Sequence, residues 1–111
     1  MSRINALLIL LLAALLEAGG DAVVRLALRS SAAWIVRLAL FVVGAAVLLA
    51  YGYAVNAPPW DFGRLLGIYV VLFFVVAQII SWVVFHQPPA RGTLAGGLLI
   101  VAGGVVISLF P

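Results

Sequence analysis

The feature that most constrains this chain is a long apolar run, from Leu7 to Arg29, that carries a carboxylate near its middle. The hydrocarbon core of a bilayer is about 30 Å thick and takes about 20 helical residues at about 1.5 Å each. A helix that starts near Ile4 therefore places Glu17 roughly two-thirds of the way across the membrane. A charged side chain at that depth costs at least about 2.5–3.5 kcal/mol, so it is seldom retained without a partner or a function.

The composition indicates that the whole chain, and not only this run, lies in a membrane. Hydrophobic residues make up 68% of the 111 residues and charged residues 8%, whereas a soluble domain is about one quarter charged. The formal charge of +3 comes from arginines alone, and in a membrane chain it bears on loop orientation rather than on nucleic acid. The absence of cysteine excludes disulfides and thiolate metal sites.

Four apolar segments of spanning length fill nearly the whole sequence. We predict an all-α membrane protein with helices at residues 4–28, 33–54, 63–85 and 93–110, which form a single transmembrane domain at 1–111. We expect the four helices to pack around a centre filled by side chains, so that a transport pathway would require an oligomer. The arginines are nearly balanced between the two sides, which predicts insertion in both orientations, with a slight preference for both termini outside.

Three charged residues of the first helix share one face. Glu17, Asp21 and Arg25 stand at successive i, i+4 positions, and small residues flank Glu17 on the same side, leaving room for a neighbouring helix or a ligand. Asp21 and Arg25 form either a structural ion pair at the membrane edge or part of a functional site. Glu17 lies deeper, and we expect it to hold a proton near neutral pH.

Polar and aromatic residues of the second and third helices supply further candidates. Tyr51 falls where an aromatic belt would lie at the membrane surface. Gln78 lies within the third span and needs a hydrogen-bond partner in protein or trapped water, because lipid offers none. We expect Gln78 to face the interior, where it meets either another helix or substrate.

The fourth helix contains no charge, and its glycines are its main feature. Gly96 and Gly103 are seven residues apart, as are Gly97 and Gly104, and together they form a smooth strip that another helix can approach closely. Membrane helices commonly recognise one another through such strips of small residues. The pattern favours a contact between two copies of the chain over packing within one copy, but both interpretations remain open.

These residues together resemble the small multidrug resistance transporters of the drug/metabolite transporter superfamily, and they are also similar to YnfA-like small membrane proteins. The resemblance covers nearly the full length of the chain. It depends on Glu17 with Gly20 and Arg25, on Ser81 and Trp82 with Phe85 and Gln87, on Gly96 and Gly103, and on the Gly63-Arg64 step before the third helix. Their joint spacing, rather than any one motif, carries the assignment.

The resemblance implies an antiparallel homodimer in the bacterial inner membrane. In such a dimer the two Glu17 carboxylates bind either protons or a small organic cation, and alternating access exchanges one for the other. Tyr69 matches a substrate-facing tryptophan, Trp82 belongs to the same end of the third helix, and Gly96 and Gly103 match glycines of a dimer contact. The chain departs from the family at Val71-Leu72-Phe73, where a glycine kink is replaced, and at Val43 and Leu66, where aromatic residues are missing.

The leading hypothesis is therefore a proton-coupled exporter of small organic cations. A subunit that moves or presents a lipid-linked substrate, and a structural membrane protein in which Glu17 only pairs with another helix, are the alternatives. No enzyme is predicted, because the sequence shows no nucleophile with a base and no phosphate-binding loop. No metal or other cofactor is expected either, since His86 is the only histidine and has no second ligand candidate beside it.

Overall fold

The computed structural model describes residues 1–110, which form four long helices. They are α1 (Arg3–Arg29), α2 (Trp34–Val55), α3 (Phe62–Phe85) and α4 (Arg91–Leu109). All four are long and apolar enough to cross a membrane, so the predicted organisation into four spans is confirmed. The observed ends differ from the predicted ones by two residues or fewer.

The helices are arranged as an open row and not around a closed centre. α1 packs against both α2 and α3, and α3 packs against α4, which gives the order α2–α1–α3–α4. The molecule accordingly measures 51 × 34 × 19 Å. The prediction of a filled centre shared by all four helices is therefore wrong, because α2 and α4 lie at opposite ends of the row and pack mainly on their inner neighbours.

Glycines bring α1 and α2 close together over the middle of the membrane. A Cβ atom built on Gly20 would lie 2.8 Å from the Leu48 side chain and 3.4 Å from the carbonyl oxygen of Gly44. A Cβ atom on Gly44 would lie 2.7 Å from the Val24 side chain. Small residues allow such close contact between helix backbones, and the resulting van der Waals packing stabilises helix association in membranes. The hydrophobic effect does not contribute there, because lipid tails are as apolar as the side chains.

The predicted glycine strip on α4 is divided between two environments. Gly97 and Gly104 are buried against α3, where added Cβ atoms would meet the side chains of Phe74 and Val71. Gly96 and Gly103 have open space where a Cβ atom would be. Gly97 and Gly104 therefore serve packing within the chain, and only Gly96 and Gly103 are free for the predicted contact with a second copy.

Large apolar side chains cover the outside of the row. Leu49, Leu98 and Trp34 are each more than 70% exposed, and many other large apolar residues are exposed as well. A soluble monomer rarely exposes contiguous apolar surface on this scale. The surface is suited to lipid tails, and the surrounding bilayer is thus a partner that the fold requires.

Candidate functional site

The structure brings together Glu17 and Tyr69, two of the residues predicted to bind proton or substrate. The Tyr69 hydroxyl, on α3, donates a hydrogen bond to Oε1 of Glu17, on α1, with an oxygen–oxygen distance of 2.7 Å. Glu17 follows Arg3, the first residue of α1, by about 21 Å along the axis, which is near the middle of the helix. Tyr69 is 4% exposed, whereas Glu17 is half-buried, so the carboxylate can still be reached from one side.

Aromatic rings from two helices hold the Tyr69 ring in position. The rings of Tyr51, on α2, and Tyr69 have centroids 5.8 Å apart and are tilted by 32°. Phe73, one turn further along α3, lies 6.2 Å from Tyr69. Packing of this kind fixes the direction of the Tyr69 hydroxyl and hence the hydrogen bond to Glu17.

Tyr51 is the member of the site that the sequence analysis missed, because its position near the end of α2 was interpreted as an interfacial aromatic belt. A usable signal was present. Tyr51 precedes the end of α2 by one turn, and Tyr69 follows the start of α3 by two turns. Since α2 and α3 are consecutive and cross the membrane in opposite directions, the two tyrosines must lie at similar depths.

Small residues of α1 around Glu17 are used for helix packing. Ala13, Ala14 and Ala18 are at most 5% exposed and belong to the same buried cluster as Tyr69. Gly20 faces α2. The sequence left open whether the space beside these small residues holds a neighbouring helix or a ligand. At Ala13, Ala14, Ala18 and Gly20 it holds a neighbouring helix.

Beyond Glu17, towards the carboxyl end of α1, the space between α1 and α3 opens into a pocket of about 260 Å³. Ala18 and Phe73 form its inner end, directly beside the Glu17–Tyr69 pair. The side chains that line it are Ala18, Asp21, Ala22 and Arg25 from α1, Phe73, Ala77, Ile80, Ser81 and Phe85 from α3, and Gln87 after α3. The pocket therefore extends from the end of the helices to residues adjacent to Glu17, although Glu17 itself does not line it.

The outer part of this pocket has its own charges. Asp21 and Arg25 both line it, and the Arg25 guanidinium lies over the Phe85 ring, 5.5 Å from its centroid. That contact crosses from α1 to α3 and is a favourable cation–π geometry. Arg25 is therefore placed at the mouth of the pocket, with Asp21 one turn deeper and Glu17 a further turn in.

A tight turn after α3 completes the mouth. His86 has a positive φ of 55° at the end of the helix, and the backbone N–H groups of His86 and Gln87 both donate to the carbonyl oxygen of Ser81. The Ser81 hydroxyl donates back to the Gln87 carbonyl oxygen at 3.0 Å. This left-handed closure is a common helix ending, and it draws Gln87 to the pocket.

Two predicted site residues of α3 lie elsewhere. Gln78 follows Tyr69 by nine residues, or two and a half turns, so it points to the opposite side of α3. It shares that side with Val71 and Phe74, which contact glycines of α4. Trp82 is 60% exposed on the outer surface. The structure thus does not bring Gln78 to Glu17, whereas the exposed position of Trp82 leaves its predicted role in structure or in a dimer contact as a prediction.

Comparison with known proteins identifies relatives that are small membrane proteins. The family model described as "Uncharacterised BCR, YnfA/UPF0060 family" matches residues 3–111. A "UPF0060 membrane protein" of Herpetosiphon aurantiacus is 31% identical, with 100% of this chain and 99% of that protein covered. One of Clostridium beijerinckii is 28% identical over 100% and 98%, and one of Staphylococcus aureus is 31% identical over 93% and 92%.

No solved structure matches the chain. The family match spans almost the entire sequence, and the relatives named above are bacterial membrane proteins of nearly the same length. Four apolar helices with little chain outside them place the protein within the inner membrane. The chain therefore belongs to the YnfA/UPF0060 family of integral membrane proteins.

Proposed function

We propose that the protein is a proton-coupled secondary transporter that exports small organic cations, with Glu17 as the shared site for proton and substrate. The observation that carries this proposal is the hydrogen bond from Tyr69 to Glu17 in the middle of the membrane. The sequence resemblance to the small multidrug resistance transporters supports the same function.

The partner of Glu17 is a neutral hydroxyl and not a cation. Arg25, which lies two turns away on the same face, has its guanidinium on Phe85. The hydrogen bond to Oε1 orients the carboxylate and leaves Oε2 for another ligand. A carboxylate in this situation is neutralised either by a proton or by a bound cation, and competition between the two for the same oxygens couples their movements.

The pocket between α1 and α3 reaches Ala18 and Phe73, beside Glu17 and Tyr69, and this supports access to the carboxylate from one end of the molecule. Phe73 and Phe85 line it, and aromatic faces attract organic cations. Alternating access also needs a route to the opposite side. A second copy in the opposite orientation would supply that route, as inverted repeats do within single-chain transporters. Gly96 and Gly103 on α4 are available for such a contact.

Transport by purified protein in liposomes tests the proposal. Guanidinium, quaternary ammonium and lipid-like compounds should be added under a proton gradient while the transport current is recorded on a supported membrane. We expect at least one organic cation to give a proton-dependent current with the unmodified protein. Glu17→Gln keeps the size of the side chain and one acceptor oxygen but removes the ionisable group, so it should abolish that current.

Asp61→Asn is the matched control, because it removes the carboxylate that precedes α3. Asp61 is exposed, and its side chain makes no hydrogen bond to the start of the helix. This variant should transport normally. Coupled transport by Glu17→Gln would contradict the proposal. A lack of response to every cation, together with a co-purified lipid or partner chain, would instead favour the lipid-linked alternative.

A further inference from the structure

A second polar pocket, of about 250 Å³, lies at the opposite end of α1 from the mouth of the first. It is lined by Arg3, Leu7, Trp60, Arg64, Ile68 and Ser108. Arg3 donates a hydrogen bond to the Ser108 hydroxyl. Arg64 donates to the carbonyl oxygens of Ser108 at 3.1 Å and Ile107 at 3.5 Å. Three helices, α1, α3 and α4, thus meet at Ser108.

The charge of this pocket is not balanced by its own residues. Two guanidinium groups reach the same serine, and among residues 1–110 no aspartate or glutamate lines the pocket. The carboxyl end of α4 supplies only partial negative charge from its carbonyl groups. Each guanidinium has five N–H donors, and the hydrogen bonds above use one from Arg3 and two from Arg64. The remaining donors can bind an anion that has several oxygen atoms.

The polar pocket continues into an apolar groove that runs towards the middle of the membrane. The groove has a volume of about 160 Å³, and its lining residues are Leu7, Ile68, Val71, Leu72, Gly104, Val105 and Ser108. Leu7, Ile68 and Ser108 belong to both cavities. α1 and α4 each pack against α3, and the groove lies between α1 and α4 along the surface of α3.

The position of the pocket matches the level of lipid phosphates. Arg3 is the first residue of α1, Arg64 lies in the first turn of α3, and Ser108 lies in the last turn of α4. The Arg64 guanidinium is also 5.9 Å from the centroid of the Trp60 ring, and tryptophan favours the membrane interface. All these groups are therefore at one membrane surface.

We propose that this pocket binds the phosphate of an anionic phospholipid, with one acyl chain in the adjoining groove. The two guanidiniums provide charge-assisted hydrogen bonds to the phosphate, and basic pockets between membrane helices are suited to such head groups. The groove explains why a lipid, rather than free phosphate, fits the site. This binding is independent of the transport function proposed above.

Lipid binding can be measured by native mass spectrometry of the protein in neutral detergent, with phosphatidylglycerol and phosphatidylcholine supplied at equal concentration. Both head groups carry a phosphate, but the choline cation of phosphatidylcholine compensates its charge and is repelled by two guanidiniums, so we expect a preference for phosphatidylglycerol of about tenfold or more. Arg3→Gln should remove most of that preference. Arg29→Gln, at the other end of the same helix, is the matched control and should retain it.

Two further arms separate a lipid from a free anion. Val105→Trp should fill the apolar groove and weaken phospholipid binding while both arginines remain. Inorganic phosphate should displace little lipid from the unmodified protein. Equal binding of the two phospholipids, or equal loss with Arg3→Gln and Arg29→Gln, would overturn the proposal. So would full displacement by phosphate together with unchanged lipid binding in Val105→Trp.

Discussion

The two sides of α1 are built on opposite principles. Towards α2, glycines let the backbones approach, and the contact at Gly20 and Gly44 leaves no room for even a methyl group without movement of neighbouring side chains. Towards α3, the contact centres on the hydrogen bond between Glu17 and Tyr69 and then opens into a pocket. The α2 side of α1 is thus closely packed over the contact, whereas the α3 side combines a packed part with a polar contact and an open pocket.

This difference assigns separate roles to the two contacts of α1: the contact with α2 stabilises the fold, and the contact with α3 forms the candidate site. A carboxylate in the membrane must be held in place, and the α1–α2 contact does this without polar groups. The α1–α3 contact can then remain partly open, as a site that exchanges ligands requires. We expect substitutions on the α2 side to affect folding and substitutions on the α3 side to affect transport.

The largest effect is expected from Gly20→Val, on the closely packed side. Its Cβ atom would lie 2.8 Å from the Leu48 side chain, which would have to move, and would already be in contact with the Gly44 carbonyl oxygen at 3.4 Å. Overpacking of this kind costs about 1–3 kcal/mol or more, so the thermal unfolding temperature in detergent should fall clearly. Gly19→Val is the control, because a Cβ atom on Gly19 meets nothing within 4 Å. Equal destabilisation by the two variants would show that the α1–α2 contact is not the one that matters.

A smaller effect on the fold, and a clear one on transport, is expected from Tyr69→Phe. The substitution removes the donor to Glu17 but keeps the ring that packs against Tyr51 and Phe73. Without the donor the carboxylate is no longer held in one orientation, so coupled transport should fall about tenfold or more. The unfolding temperature should also fall, because the hydrogen bond joins α1 to α3, but by less than with Gly20→Val, since the substitution creates no steric clash. Tyr53→Phe, at a position 86% exposed, should leave both properties unchanged. Normal transport by Tyr69→Phe would show that the hydrogen bond to Glu17 is not needed for transport.

The smallest effect is expected from Asp21→Asn, in the outer part of the pocket. Asp21 is exposed there, and an exposed charge contributes only about 0.2–1 kcal/mol to a pairwise interaction. The concentration of substrate for half-maximal transport should rise up to about fivefold, with little change in the maximal rate. A complete loss of transport would show that Asp21, and not only Glu17, belongs to the central site.

The sequence was sufficient to predict the four spans and the central carboxylate, because both follow from the length and hydropathy of the segments. It could not predict which helices are neighbours. That arrangement depends on which small residues pack against each other. Gly20 and Gly44 lie on different helices, and neither segment by itself shows that the two glycines face each other. The open row replaced the expected closed centre for this reason.

The site itself was predicted in part. Glu17 and Tyr69 are in contact, whereas Gln78 is on the other side of α3, nine residues beyond Tyr69. Counting helical turns from Tyr69 would have separated the two. The α4 glycines show a similar limit. Their seven-residue spacing predicts one smooth strip, but the structure shows that Gly97 and Gly104 face α3 while Gly96 and Gly103 face open space.

The most direct test of the central claim is the release of protons when a transported cation binds to the purified protein. The measurement is made in weakly buffered detergent solution with a sensitive pH electrode, on the unmodified protein, on Glu17→Gln and on Asp61→Asn. If Glu17 binds proton and substrate in turn, the unmodified protein and Asp61→Asn release protons on cation addition, and Glu17→Gln releases none. Proton release by Glu17→Gln equal to that of the unmodified protein would contradict the account.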